Sequence, residues 1–447
     1  GKRINSNSPQ DDQGATVSNV APVPLQRNVL AAVAGMRTCR VSVPLLLWVI
    51  AALPEPALLR RSGQQSRLGT ADSLVSADNL SPPALLLVSS PAEKKISYVQ
   101  LSDSSTRSSS TVRPLVDAGL GGPRGLAYDA SSSRLYVADP PKRRVLCFRL
   151  GLRSCADGGC ASNYDLQVDG AAITVVQGVL TSWVAVDSNG ILYYTDQEAK
   201  SINKIDTLVL QRLASSTLLA SDLKLVSQQE LGALEALASA SNDEGTAVSQ
   251  ARAALEKATS NRILVIHQAD LCANIGVPSG IFAEGAFLYW TNSAGGLAKG
   301  SVVLGAATRE DSQAADESKA MDNGTDVAYG VTMTFDKVLF AGEHEVLGVG
   351  KAGRPRVILA GGLEAPRGLA WDGDGTAYVA DQGSNAIFSL ACGRMEQPLH
   401  RVVEIHAPFG LAFIGAAQIQ ALEGGTRACR LLAWPLLSAI ALAGLQH

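Results

Sequence analysis

The chain has 447 residues, of which 46% are hydrophobic and 18% charged, a composition typical of a folded globular protein. Its 38 Lys and Arg residues stand against 41 Asp and Glu residues, so the formal net charge of −3 offers no general positive surface for a nucleic acid. Seven cysteines are too few in this length for a disulfide scaffold and too scattered for a zinc ribbon.

The N-terminal part of the chain predicts a secretory signal. We expect residues 1–35 to be disordered, and whether they belong to the mature protein is left open. Within residues 36–57, a short basic stretch precedes the apolar run 41–53, which is the order of charge and apolarity in a signal peptide. This run is shorter than the about 20 residues of a membrane-spanning helix. A cleaved signal, a signal-anchor and a buried helix are the three interpretations, and residues 58–83 form a linker.

A sequence repeat defines the region 84–414. Residues 123–129 read Pro-Arg-Gly-Leu-Ala-Tyr-Asp and are followed at 135–139 by Leu-Tyr-Val-Ala-Asp. Residues 366–372 and 377–381 repeat this almost residue for residue, and weaker copies occupy 184–196, 280–292 and 330–341. Each copy predicts four short strands, a to d, rich in β-branched and aromatic residues and separated by polar turns. Four strands per repeat is the plan of a propeller blade.

The two ends of this region predict one further blade. Residues 85–88 and 96–99 read as strands b and c with no strand a before them, and 112–116 as their strand d. Residues 409–413 read as a strand a with nothing after it. Joining these parts closes the ring and removes exposed sheet edges. We therefore predict an all-β fold, a six-bladed β-propeller with cross-terminal closure.

Three segments fall outside the repeat. Residues 208–260 separate strands c and d of the third blade, and Ser227 and Glu230 form a capping box ahead of regularly spaced leucines, which predicts an inserted helical hairpin. The acidic segment 310–326 is expected to be a solvated loop. Residues 415–447 form a tail whose apolar segment 431–445 fits a short tail anchor, a lipid-anchor signal or a helix packed on the domain.

The Pro-x-Gly-Leu-Ala-x-Asp and Tyr-Val-Ala-Asp pattern resembles the NHL repeat. The segments Leu-Tyr-Tyr-Thr-Asp at 192–196 and Leu-Tyr-Trp-Thr-Asn at 288–292 resemble the related YWTD repeat of lipoprotein-receptor propellers. The resemblance implies a six-bladed propeller. It implies no single function, because such rings host ligand-binding modules, scaffolds and several enzymes.

The candidate ligand site is one mouth of the central channel. The residue just before the strand-a Gly lies in the loop between one blade's outer strand and the next blade's inner strand, so these positions should gather around one mouth. From the first blade to the sixth they are Phe409, Arg124, Ser182, Ser279, Tyr329 and Arg367. Two arginines flanking a phenylalanine would suit a carboxylate, a phosphate or an acidic peptide. Alternatively, each arginine pairs with a neighbouring Asp and joins the blades.

Other polar residues are expected to be structural. Aspartates recur once per blade at strand ends, where a carboxylate caps the N–H groups of a turn, whereas catalysis needs an asymmetric cluster. The histidines lack metal-ligand spacing. His267 and His406 end outer strands, where we expect exposure. We predict no catalytic residue, no metal and no cofactor.

The predicted function is non-enzymatic recognition of a protein or peptide ligand, acidic at the contacting group, in a secreted or membrane-associated protein. The alternative is a hydrolase or lyase of the lactonase or amidating-lyase type with a channel metal. Asn79 and Asn323 begin glycosylation sequons, and Cys155 and Cys160 are candidates for a disulfide, both compatible with the secretory pathway. A cytoplasmic scaffold is the alternative location.

Overall fold

The computed structural model describes residues 83–101, 111–154, 164–239, 249–302 and 318–422, apart from positions within 251–259 and positions 271, 273, 354 and 394. The predictions for 1–35, 36–57, Asn79, the Cys155–Cys160 disulfide and the apolar segment 431–445 lie outside these residues. Among the helices of the described residues, none has the length and apolarity that spanning a bilayer requires.

The described residues are mainly short β-strands. The strands are, in chain order, β1 (Ala84–Ser90), β2 (Lys95–Leu101), β3 (Val112–Val116), β4 (Leu126–Asp129), β5 (Arg134–Asp139), β6 (Arg144–Ser154), β7 (Tyr164–Val168), β8 (Ile173–Gln177), β9 (Val184–Val186), β10 (Leu192–Asp196), β11 (Ser201–Ile205), β12 (Lys224–Val226), β13 (Arg262–Gln268), β14 (Pro278–Glu284), β15 (Phe287–Asn292), β16 (Leu297–Ser301), β17 (Lys319–Asp322), β18 (Val331–Met333), β19 (Lys337–Ala341), β20 (Glu345–Gly350), β21 (Val357–Gly361), β22 (Pro366–Trp371), β23 (Thr376–Asp381), β24 (Ala386–Ala391), β25 (His400–Glu404) and β26 (Leu411–Ile414). The helices are α1 (Thr207–Ala214) and α2 (Gln228–Ser239), with 3-10 turns at Pro140–Lys142 and Ala220–Asp222.

The strands form six sheets, the blades of a β-propeller. Blade one has the order β26-β1-β2-β3, blade two β4-β5-β6-β8, blade three β9-β10-β11-β13-β12, blade four β14 to β17, blade five β18 to β21 and blade six β22 to β25. The innermost strands β26, β4, β9, β14, β18 and β22 contact one another in this order and return to β26. The predicted six-bladed ring is therefore confirmed.

The ring closes through the two ends of the domain, as predicted. β26 pairs antiparallel with β1, in a register that places Leu85 opposite Ile414 and Val88 opposite Leu411. The backbone N–H of Phe409 donates to the carbonyl oxygen of Ser89 at 2.8 Å and extends the pairing into the preceding loop. Blade one is thus built from residues more than 300 positions apart, as the Ser89–Gly410 hydrogen bond spans 321 positions.

The second strand of each blade is the most deeply buried. β5 and β10 are buried without alternation because each blade packs between two others, which covers both faces of its sheet. The large side chains Tyr136, Tyr193, Tyr194, Trp290 and Phe340 are fully buried in this layer. The interfaces between the blades therefore form the hydrophobic core.

A glycine lies just before or near the start of most inner strands, because neighbouring strands converge there. A Cβ on Gly368 would lie 2.3 Å from the carbonyl oxygen of Phe409, and one on Gly410 would lie 2.2 Å from that of Arg124. No side chain fits such a gap without a backbone shift. The strand-a glycine of the repeat is therefore a packing requirement of the ring.

We expect Gly368→Ala to lower the free energy of unfolding by about 1–3 kcal/mol, the usual cost of forcing extra atoms into a packed interior. Chemical denaturation measures this change. Gly375→Ala in the same blade is the matched control, because a Cβ there would meet no atom within 4 Å. Equal stability of the two variants would contradict the close approach of the inner strands.

The segment 208–260 is more elaborate than the helical hairpin that the sequence predicts. α1 packs Val209, Leu210 and Leu213 against blade two, and β12 adds a parallel strand to β13 at the outer edge of blade three. Ser227 immediately precedes α2, and its hydroxyl accepts a hydrogen bond from the N–H of Glu230 at 3.2 Å. The short strand β12 escaped prediction because its pairing partner lies far along the chain.

Two further strands were not predicted. β6 continues to Ser154 and pairs with β7, forming a hairpin beyond the blade proper. β17 completes blade four within the segment 310–326, so the expectation of a solvated loop is wrong for residues 319–322. Asp322 in this strand is paired with Arg356 at 3.2 Å, and this contact accommodates its charge at the sheet edge.

Candidate functional site

A cavity of about 260 Å³ opens at one mouth of the channel. The six residues of the predicted mouth all line it, together with five others: Pro91, Arg124, Ser182, Trp183, Gln197, Ser279, Ser293, Tyr329, Arg367, Gln382 and Phe409. The loops between blades thus place residues from every blade around one opening.

Three of the lining residues that sequence reasoning missed share one repeat position. Gln197, Ser293 and Gln382 each follow directly after the last residue of a strand b. The turn from strand b to strand c opens on the same face as the loop from strand d to strand a, so this position forms a second ring around the mouth. The repeat would therefore have been sufficient to predict this second set of mouth residues.

Arg124 is held in place by neighbours on both sides. Its Nη1 donates to the hydroxyl oxygen of Ser182 at 2.8 Å, and its Cζ lies 5.3 Å from the centre of the Phe409 ring. Burial lowers the pKa of the Arg124 guanidinium, and repulsion from Arg367 lowers it further. The group nevertheless stays charged, since arginine does not lose its proton in proteins.

Arg367 lies against an aromatic ring in the same cavity. Its Cζ is 4.0 Å from the centre of the Tyr329 ring, a cation–π distance, and its Nε donates to Oε1 of Gln382 at 3.1 Å. A further donor, Nη1, lies 3.3 Å from the carbonyl oxygen of Pro366. These contacts fix the guanidinium without neutralising it.

The charge of the two arginines is uncompensated within the described part of the chain. Neither forms an ion pair there, and no Asp or Glu lines the cavity. The alternative interpretation, in which each arginine pairs with a neighbouring Asp, is therefore wrong for these residues. The cavity combines two positive charges with aromatic rings and neutral polar groups.

The strand-end aspartates bind backbone N–H groups, as expected from their periodicity. Asp139 accepts hydrogen bonds from the N–H groups of Gly121 and Gly122 at 3.0 and 2.9 Å. Asp381 accepts those of Glu364 and Ala365 in the equivalent turn, at 3.0 and 2.6 Å. These carboxylates hold the loops that lead to the mouth.

No group of three or more His, Cys, Asp or Glu side chains that could hold a metal ion occurs among the described residues. His406 is exposed, as expected. His267 is buried, contrary to expectation, because its ring lies 5.0 Å from the Trp290 ring and its Nε2 is 3.1 Å from the carbonyl oxygen of Ser301 in the next blade.

No protein-family model and no curated protein matches the chain. Among solved structures, a chain from a structure described as the nidogen/laminin complex is similar, with 13% sequence identity and a TM-score of 0.46. The match covers 74% of this chain and 98% of that chain. The six-bladed propeller is established here by its own strand pairing, and the assignment to the NHL type stays a prediction.

Proposed function

We propose that the protein is a non-enzymatic recognition module that binds a protein or peptide ligand at the channel mouth through an acidic group. The observation that carries this proposal is the pair Arg124 and Arg367, which share one cavity without a carboxylate partner in the described residues. A charge that is partly withdrawn from water without a counter-charge costs free energy. A ligand carboxylate between the guanidinium groups would offset this cost through charge-assisted hydrogen bonds.

The size of the cavity favours one group of a larger ligand. Small-molecule pockets usually measure about 300–1,000 Å³, and this cavity, at about 260 Å³, lies below that range. The surrounding loops are free of the packing constraints of the blades, so they supply further contacts on a rigid frame. This combination suits a protein surface that inserts one acidic side chain into the mouth.

Selection of random peptides displayed on phage tests the proposal, with the purified protein as the target. We expect the enriched peptides to contain Asp or Glu, and their Asn or Gln counterparts to bind more weakly. Arg124→Gln and Arg367→Gln should each reduce affinity by roughly 10- to 150-fold, which corresponds to about 1.5–3 kcal/mol for a hydrogen bond to a charged group. Enriched peptides without acids, or peptides that bind each variant as tightly as the wild-type protein, would contradict the proposal.

We further propose that the protein passes through the secretory pathway, supported by the position of Asn323. This residue is exposed just after β17, and the hydroxyl of Thr325 in the same sequon accepts a hydrogen bond from Gly296 at 3.0 Å. Asn323 therefore lies at the surface in a loop, where a glycan is sterically accommodated.

Treatment of the native protein with an N-glycosidase is expected to increase its electrophoretic mobility. Asn323→Gln should remove this shift in part, or in full if Asn79 is unmodified, and Asn79→Gln is the matched control. An unchanged mobility of the wild-type protein would contradict the secretory proposal and would leave the mouth proposal untouched.

A further inference from the structure

Blade three departs from the repeat at the position where the inner strands converge. The other five blades carry glycine there, namely Gly125, Gly280, Gly330, Gly368 and Gly410. Blade three carries Trp183. The largest amino acid therefore stands where the ring elsewhere accepts no side chain, and its indole must enter the channel rather than a gap between strands.

The contacts of Trp183 place its indole across the channel. Its Cη2 is 3.0 Å from where a Cβ of Gly330, in blade five, would lie. Its ring centre is 5.3 Å from that of Phe409, which precedes the inner strand of blade one. Blades one and five each lie two places from blade three around the ring. A side chain that reaches both must lie close to the axis, and Trp183 is 7% exposed.

The indole therefore forms an aromatic floor to the cavity that the arginines line. Trp183 and Phe409 contact each other at a tilt of 37°. Arg124 lies over the Phe409 ring, so the positive charge and the apolar surface adjoin each other. A ligand that entered from the mouth would meet the guanidinium groups and the aromatic floor at once.

We infer that Trp183 closes the channel, so that the mouth is a blind pocket selective for a carboxylate attached to a flat apolar group. The inference rests on the proposed function and deepens it by naming the ligand chemistry. Such a group comes either from a peptide, as an acidic residue beside an apolar one, or from a free aromatic acid. The carboxylate binds between Arg124 and Arg367, and the apolar group packs on Trp183 and Phe409.

The test uses 3-(4-fluorophenyl)propionate as the probe. Fluorine NMR measures its binding to the full-length protein. We expect binding in the millimolar range, as is usual for a ligand with so few atoms. The corresponding amide, which lacks the charge, and acetate, which lacks the ring and is measured as a competitor of the probe, should each bind at least about 10-fold more weakly. Equal affinity for acetate and the aromatic acid in the wild-type protein would overturn the inference without any substitution.

Trp183→Gly restores the residue of the other five blades and removes the floor. We expect it to reduce affinity for the aromatic acid to that for acetate, whereas Arg124→Gln reduces affinity for both acids. If the glycine variant does not fold, Trp183→Leu, which keeps an apolar side chain, replaces it in the test. It should show the same loss of preference for the aromatic acid over acetate. An undiminished preference in a folded variant would overturn the inference.

The two proposals can fail separately. If the aromatic acid binds as described but the phage selection yields no acidic peptides, the ligand is a free acid. The proposal that the protein recognises a protein or peptide is then wrong. If acidic peptides are selected and depend on both arginines but not on Trp183, the floor inference is wrong and the proposed function stands.

Discussion

A chain that ends at residue 408 is expected not to fold. It lacks Phe409 and β26, and it therefore exposes the inner edge of β1, whose residues Leu86 and Leu87 are fully buried in the complete ring. The lost burial of Phe409, Leu411 and Ile414 alone amounts to roughly 5–9 kcal/mol, at about 1.5–3 kcal/mol for each side chain. This is comparable with the total stability of a domain, about 5–15 kcal/mol.

Thermal unfolding, monitored by near-ultraviolet circular dichroism, measures this loss of stability. The matched control ends at residue 414, so it differs from the shorter chain only by the six residues that close the ring. It is expected to unfold cooperatively, at a reduced temperature because Ile419 and Leu422, which pack on the core, are also absent. A shorter chain as stable as the control would show that the ring does not depend on its cross-terminal strand.

Reversing both mouth charges, with Arg124→Glu and Arg367→Glu, is expected to abolish binding of the acidic peptides selected by the wild-type protein. The loss should exceed about 1,000-fold, since two charge-assisted hydrogen bonds of about 1.5–3 kcal/mol disappear and repulsion replaces them. Both arginines contact neutral polar groups and aromatic rings at the mouth, and neither forms an ion pair among the described residues, so folding should persist.

Equilibrium binding by fluorescence anisotropy provides the measurement, with labelled acidic peptides and their lysine-containing counterparts. The reversed variant should prefer the lysine peptides. Lys142→Glu is a control for net charge, because Lys142 is exposed and does not line the cavity. Acidic peptides that bind the reversed variant as tightly as the wild type would place the ligand site elsewhere.

The closed ring could be predicted because two features of the sequence indicate it. The near-identical copies at 123–139 and 366–381 define the blade, and the incomplete ends of the domain complement each other. The mouth residues followed from the same repeat, since one position in each copy must face the same opening. Gln197 and Gln382 could have been found in this way, because they too occupy a repeated position.

The rest depended on contacts that no local pattern encodes. β17 and β12 are short and contain charged residues, and each exists because a neighbouring strand offers hydrogen bonds at the sheet edge. That Trp183 occupies the strand-a glycine position follows from the repeat, since Ser182 precedes it, but the reach of its indole across the channel became evident only from its contacts with Gly330 and Phe409. The burial of His267 likewise requires Gly300 in the next blade, where a Cβ would lie 2.7 Å from the imidazole.

The proposed function requires that Arg124 and Arg367 bind an anion and do not hold the blades together. The most direct test is the free energy of unfolding of the Arg124→Gln, Arg367→Gln double variant without ligand, compared with the wild type. We predict a change of less than about 1 kcal/mol, because relief of the repulsion between the two guanidinium groups offsets their lost polar contacts. A destabilisation of about 3 kcal/mol or more, the cost of breaking a buried ion pair, would contradict the claim.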